Sequence, residues 1–156
     1  MTRINIIPVA ELTDQHLIAE YREITMIPAA LTRTLKSKIG LQKDKINKEY
    51  TLNTGHVYFF YDKGLYLNKR YKEIVLEMQS RGFKPNSNRK FPKHLFPSYL
   101  YNDWRPSLNE QIIIRKRIED KIAMKPDWYR KTKKCREIQN RNSNQKNLIN
   151  RQVLFK

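Results

Sequence analysis

Thr13-Asp14-Gln15-His16-Leu17-Ile18-Ala19-Glu20-Tyr21-Arg22-Glu23-Ile24 is the stretch from which the fold can be read. Leu17, Tyr21 and Ile24 recur at steps of four and three, which puts them on one face of an α-helix. Thr13 or Asp14 can cap its start by accepting from a first-turn amide. His16, Glu20 and Glu23 repeat the same steps on another face. Pro28 is expected to break or kink the run, with helix resuming through Ala29-Ala30-Leu31 to about Lys38.

Two further helices follow the same logic. One begins after Asp62, carries Leu67, Tyr71, Ile74, Val75 and Met78 as an apolar stripe, and stops at Arg81-Gly82. The other opens at Ser107-Leu108-Asn109-Glu110, a capping box, and carries Ile114, Ile118 and Ile122 at steps of four. Arg115, Arg117 and Lys121 flank that stripe and are expected to face outward; Pro126 ends the helix. Between these helices the pattern weakens. Residues 40–61 read as irregular, with the aromatic run 55–61 as a buried connection rather than a strand. Residues 84–106 hold prolines at 85, 92, 97 and 106 and read as an extended loop. The prediction is an all-α fold: a single compact domain of three main helices with long irregular connections over 1–131, and a basic, mobile extension over 132–156.

Charge points to a polyanionic partner. The 156 residues carry 32 Lys+Arg against 15 Asp+Glu, a net of +17. Residues 81–156 hold 20 basic and 6 acidic residues, so most of the excess lies in the second half. Such a field favours nucleic acid over an acidic protein partner or a role in solubility alone. No stretch approaches the roughly 20 apolar residues of a membrane helix. Met1-Thr2-Arg3-Ile4-Asn5-Ile6-Ile7-Pro8 lacks the apolar region of a secretory signal. A single cysteine, Cys135, leaves no internal disulfide framework and no Cys-based zinc site; its neighbours Lys133, Lys134 and Arg136 could lower its pKa, but a spectator thiol is the preferred reading. An intracellular, cytoplasmic, DNA-associated monomer is expected.

Three features converge in residues 2–23. Thr2 follows the initiator Met, and a small second residue permits removal of Met1. The exposed α-amine would have a pKa near ~7.7–8.0, neutral enough to attack an electrophilic carbon. His16, Glu20 and Glu23 offer either a carboxylate for acid/base work or part of a metal site, with His56 or His94 as further ligands. Arg3, Gln15 and Arg22 supply donors suited to phosphates, bases or sugars.

The strings Met1-Thr2-Arg3-Ile4-Asn5, Glu11-Leu12, Asp14-Gln15-His16-Leu17 and Ala19-Glu20-Tyr21-Arg22-Glu23 closely resemble the pyrimidine-dimer DNA glycosylase family. Gly55-His56-Val57, Phe59-Phe60-Tyr61-Asp62-Lys63, Lys69-Arg70, Arg81-Gly82-Phe83, Lys121-Ile122-Ala123 and Trp128-Tyr129 continue the likeness in family order. The resemblance implies a three-helix domain with two linked activities on cis-syn cyclobutane pyrimidine dimers in duplex DNA: N-glycosylase and abasic-site lyase. It implies Thr2 as nucleophile and Glu23 as the carboxylate that stabilises the sugar and moves protons, with no cofactor and no metal. It maps Arg3, Gln15, His16, Arg22, Arg117 and Lys121 to DNA or substrate contacts. Met26 stands where the family's best-known member has a basic residue. After Tyr129 an aromatic, glycine-containing terminus is replaced by Arg130-Lys131-Thr132-Lys133-Lys134-Cys135. The alternative is a basic DNA-binding protein that keeps the fold without catalysis.

Overall fold

Helices α1 (Asp14–Glu23), α2 (Met26–Lys36), α3 (His56–Phe59), α4 (Gly64–Ser80) and α5 (Leu108–Met124) follow one another in the computed structural model, which describes residues 3–132. No strand occurs among these residues; the one isolated bridge pairs Lys63 with Tyr101. The all-α expectation holds. No helix among them is long and apolar enough to cross a membrane. Thr2, Cys135 and nearly all of the 132–156 extension lie outside the described residues.

Thr13 caps α1, its side chain accepting from the His16 amide. The predicted stripe of Leu17, Tyr21 and Ile24 is buried. The break comes at Ile24-Thr25, ahead of Pro28, so the first predicted segment is two helices. Pro28 occupies the first turn of α2. There its missing N–H removes no helical bond, whereas deeper in one continuous helix its ring would strike a carbonyl four residues back.

The run 55–61 is a helical turn, α3, followed by a 3-10 turn over Phe60–Asp62. Gly55 starts it at φ 85, a left-handed conformation that favours glycine. Phe59 and Phe60 are fully buried.

Helix α4 ends as predicted. Phe83 N–H donates to Met78 O and Gly82 N–H to Gln79 O, the paired bonds of a Schellman stop, with Gly82 at φ 88. Its face of Leu67, Tyr71, Ile74 and Met78 packs on α1 and the core. The proline-rich connection is more ordered than a loop reading suggests. It holds two 3-10 turns, and Phe91, Phe96 and Leu100 are buried in the core.

Gly64, the first residue of α4, is pressed against this connection. A Cβ there would sit 2.7 Å from the Phe96 ring and 2.8 Å from that of Tyr101. Gly64→Ala should therefore destabilise the fold by about 1–3 kcal/mol despite its better helix propensity. Thermal melting reads this out; an unchanged Tm would show that the rings yield freely.

The capping box of α5 forms: Glu110 N–H donates to Ser107 Oγ and Ser107 N–H to Glu110 Oε2. Glu110 Oε1 also accepts from Tyr50 N–H at 2.9 Å, which ties the helix start to the 40–61 connection. Ile114 and Ile118 are buried and Ile122 half-buried. Arg115 reaches back to Glu11 through two hydrogen bonds of 2.9 Å.

Candidate active site

Residues 3–7 form an extended arm that enters the core without a partner strand. Ile4, Asn5, Ile6 and Ile7 are all buried. Buried backbone groups need hydrogen-bond partners, and with no sheet the side chains must supply them. Arg3 N–H donates to Glu23 Oε2 at 2.9 Å. Ile4 N–H donates to His56 Nε2 at 2.9 Å, and Ile4 O accepts from the Tyr50 hydroxyl at 2.9 Å. Asn5 N–H and Nδ2 both donate to Glu20 Oε2, at 3.2 and 3.0 Å. Arg70 Nη2 donates to Asn5 O at 2.8 Å, and Nη1 to Ile7 O. Each partner comes from an element already described: Glu20 and Glu23 from α1, His56 from α3, Arg70 from α4.

This explains the charges buried under the arm. The Glu20 and Arg70 side chains are 0% and 4% exposed and meet at 2.7 Å. Burial alone would lower the Arg70 guanidinium, but the charge and hydrogen bonds of Glu20 outweigh it and hold the group above its ordinary value. Burial pushes the Tyr50 hydroxyl far above its usual range, so it remains a donor. Burial also lowers Arg3, against the opposing pull of Tyr50 and Glu23.

Glu23 is half-buried at the C-terminal end of α1. Arg22 beside it is exposed. Its carbonyl accepts from Arg89 Nη2 at 2.8 Å, while the same nitrogen reaches Thr25 Oγ1 at 2.6 Å. The Arg89 guanidinium lies 4.8 Å from the centre of the Tyr21 ring. A cation at a helix C-terminus opposes the negative end of the dipole. Arg89 is thus a basic residue at the C-terminal end of α1 that sequence reading missed, because nothing in 84–106 has a period that places it.

Gln15 and His16 stand at the other end of α1, about 10 Å along the axis from Glu23. Both are engaged by the chain returning from α5. Gln15 Nε2 donates to Trp128 O and its Oε1 accepts from Arg130 N–H at 2.9 Å. The His16 ring stacks on Tyr129 at 4.8 Å and 5°. Asp14 N–H donates to Arg130 O, and the Asp14 carboxylate accepts from Thr132 N–H, Thr132 Oγ1 and Arg81. Burial lowers the His16 imidazole; the charge of Glu20 opposes this and that of Lys121 on α5 adds to it. Arg117 lies one turn before Lys121.

The helical spacing of His16, Glu20 and Glu23 does not make one cluster. Glu20 is committed to Arg70 and Asn5, His16 to Thr13 and Tyr129, and Glu23 to Arg3. Among the described residues no group of three or more His, Cys, Asp or Glu could hold a metal ion. The arrangement instead presents one half-buried carboxylate bonded to the Arg3 amide, with Arg89 holding the end of the same helix.

A family model described as pyrimidine dimer DNA glycosylase matches residues 1–91. The matched span contains the arm, helices α1 to α4 and all the residues that hold the arm. It ends before α5, and so before Arg117 and Lys121.

Proposed function

The chain belongs to the pyrimidine dimer DNA glycosylase family, a family of DNA repair enzymes, and on that premise we propose a two-step mechanism carried by Thr2 and Glu23. In the first step, after Met1 is removed, the neutral α-amine of Thr2 attacks C1′ of the 5′ nucleotide of a cyclobutane pyrimidine dimer in duplex DNA. The new bond is C1′–N; the glycosidic bond breaks and the base takes its electron pair. Ring opening leaves an imine between protein and DNA. In the second step, loss of a C2′ proton expels the 3′ phosphate by β-elimination, which breaks the strand, and water then releases the enzyme. Glu23 offsets positive charge on the sugar and carries protons between these steps.

One observation carries the reading: the Arg3 amide, in the peptide bond that follows Thr2, donates to the Glu23 carboxylate at 2.9 Å. A chain whose first residue reacts must have its head fixed beside the group that assists it. Arg3 and Arg22 supply positive charge for phosphates at this end of α1. Gln15 and His16 at the other end of α1, with Arg117 and Lys121 on α5, complete the proposed contacts. The base excess suits a duplex and makes binding weaken with salt.

Borohydride reduces an imine to a stable amine. Incubating Met1-free protein with duplex carrying a dimer or an abasic site, plus borohydride, should give a covalent complex joined through Thr2. Protein that retains Met1 should give about a hundredfold less. Intact mass identifies the terminus. Met1-free protein that binds duplex yet forms no adduct on either substrate would defeat the proposal and leave a non-catalytic DNA-binding protein.

A further inference from the structure

His56 is 1% exposed and has both ring nitrogens engaged. Nδ1 lies 2.8 Å from Thr51 O, and Nε2 lies 2.9 Å from Ile4 N. A carbonyl only accepts and a backbone N–H only donates, so these contacts fix the tautomer: the proton is on Nδ1 and the lone pair on Nε2. A second proton on Nε2 would set donor against donor. We propose that neutral His56 is a positioning residue for the N-terminal nucleophile. Its Nε2 lone pair holds Ile4, two residues after Thr2, and protonating the ring frees the arm and stops attack. This rests on the reading of Thr2 given above.

The surroundings favour the neutral ring. The edges of Tyr50 and Phe60 enclose it, with centroids 5.4 and 5.3 Å away. The Tyr50 hydroxyl donates to Ile4 O, so both polar groups of Ile4 are held from this one spot. Two charged groups act on the ring. Arg3 on the arm opposes a second positive charge, and Glu20 on α1 favours it; Glu20 is already neutralised by Arg70. Burial is the largest influence and lowers the imidazole below 6.5, with the Thr51 carbonyl opposing. The sign follows. The ring is neutral and the arm held at pH 7. The hold is lost as pH falls below about 6.5 through the lowered folded value.

Two variants test this. His56→Gln can present an amide oxygen near the Nε2 position, an acceptor that does not titrate. His56→Leu removes the acceptor. Borohydride trapping on abasic duplex is followed from about pH 5 to about pH 8, with protection of the Ile4 amide from hydrogen exchange, corrected for intrinsic rate. Protonation of the amine slows wild type and Gln variant alike, so their ratio isolates the ring. The wild-type to Gln ratio should be level above about pH 6.5, then fall about tenfold per unit once the ring titrates. Ile4 protection should fall over the same range in wild type and stay level in the Gln variant. His56→Leu should trap at least about tenfold more slowly at pH 7 with abasic duplex at saturating concentration. A flat ratio together with pH-independent Ile4 protection in wild type would overturn the assignment. If wild type does not trap at all, the Thr2 mechanism fails, and Ile4 protection alone still decides the role of His56. If the Leu variant does not fold, wild type and the Gln variant suffice.

Discussion

Glu23→Gln is expected to bind duplex DNA as wild type does and to lose at least about a hundredfold in strand cleavage. The amide has the shape of the carboxylate, and its oxygen can still accept from Arg3 N–H, a bond of 2.9 Å in the wild type. The arm therefore stays docked. What disappears is the negative charge that offsets a cationic sugar and the basicity that moves protons. Gel-shift titration and nicking of dimer-containing plasmid separate the two effects. Cleavage at the wild-type rate would remove Glu23 from the chemistry, and lost binding would make it a structural residue.

Arg70→Ala has the largest expected effect on stability. It strands Glu20, whose side chain is 0% exposed, and removes the donors to Asn5 O and Ile7 O. Breaking a buried pair by deleting one partner costs about 3–5 kcal/mol, a fall in Tm of roughly 10 °C or more at this size. The double variant Arg70→Met with Glu20→Leu replaces the pair by apolar volume and should recover much of the melting temperature. It should not recover trapping, because Asn5 and Ile7 still lack their partners. Calorimetry and borohydride trapping on the same samples decide this. Full recovery of both would mean that the arm needs no polar anchors.

The helices were legible wherever local signals agreed. Thr13 as cap, the Leu17-Tyr21-Ile24 stripe, the Arg81-Gly82 stop and the Ser107–Glu110 box all depend on residues within one or two turns of each other. The break before Pro28 was placed late because a proline acts on the turn preceding it. The site was legible only in part. Glu23 could be picked out, but helical spacing joined it to Glu20 and His16, which have different partners. The bonds that separate the three span long stretches of chain: Asn5 to Glu20, Ile4 to His56, Gln15 to Trp128. No periodicity encodes such pairs. Arg89 was missed for the same reason, since only the folded connection brings it to the end of α1.

The docked arm also sets an order of events. Residues 3–7 precede their partners in the chain: Glu20, then Tyr50 and His56, then Arg70. An isolated extended segment gains nothing from burying unpaired amides, so it waits until helices α1, α3 and α4 have assembled. The arm can be fixed only once those helices are in place. An incompletely folded copy has Arg3 unfastened from Glu23; under the mechanism proposed above, the Thr2 amine is then kept apart from the carboxylate that would assist it until the molecule is whole.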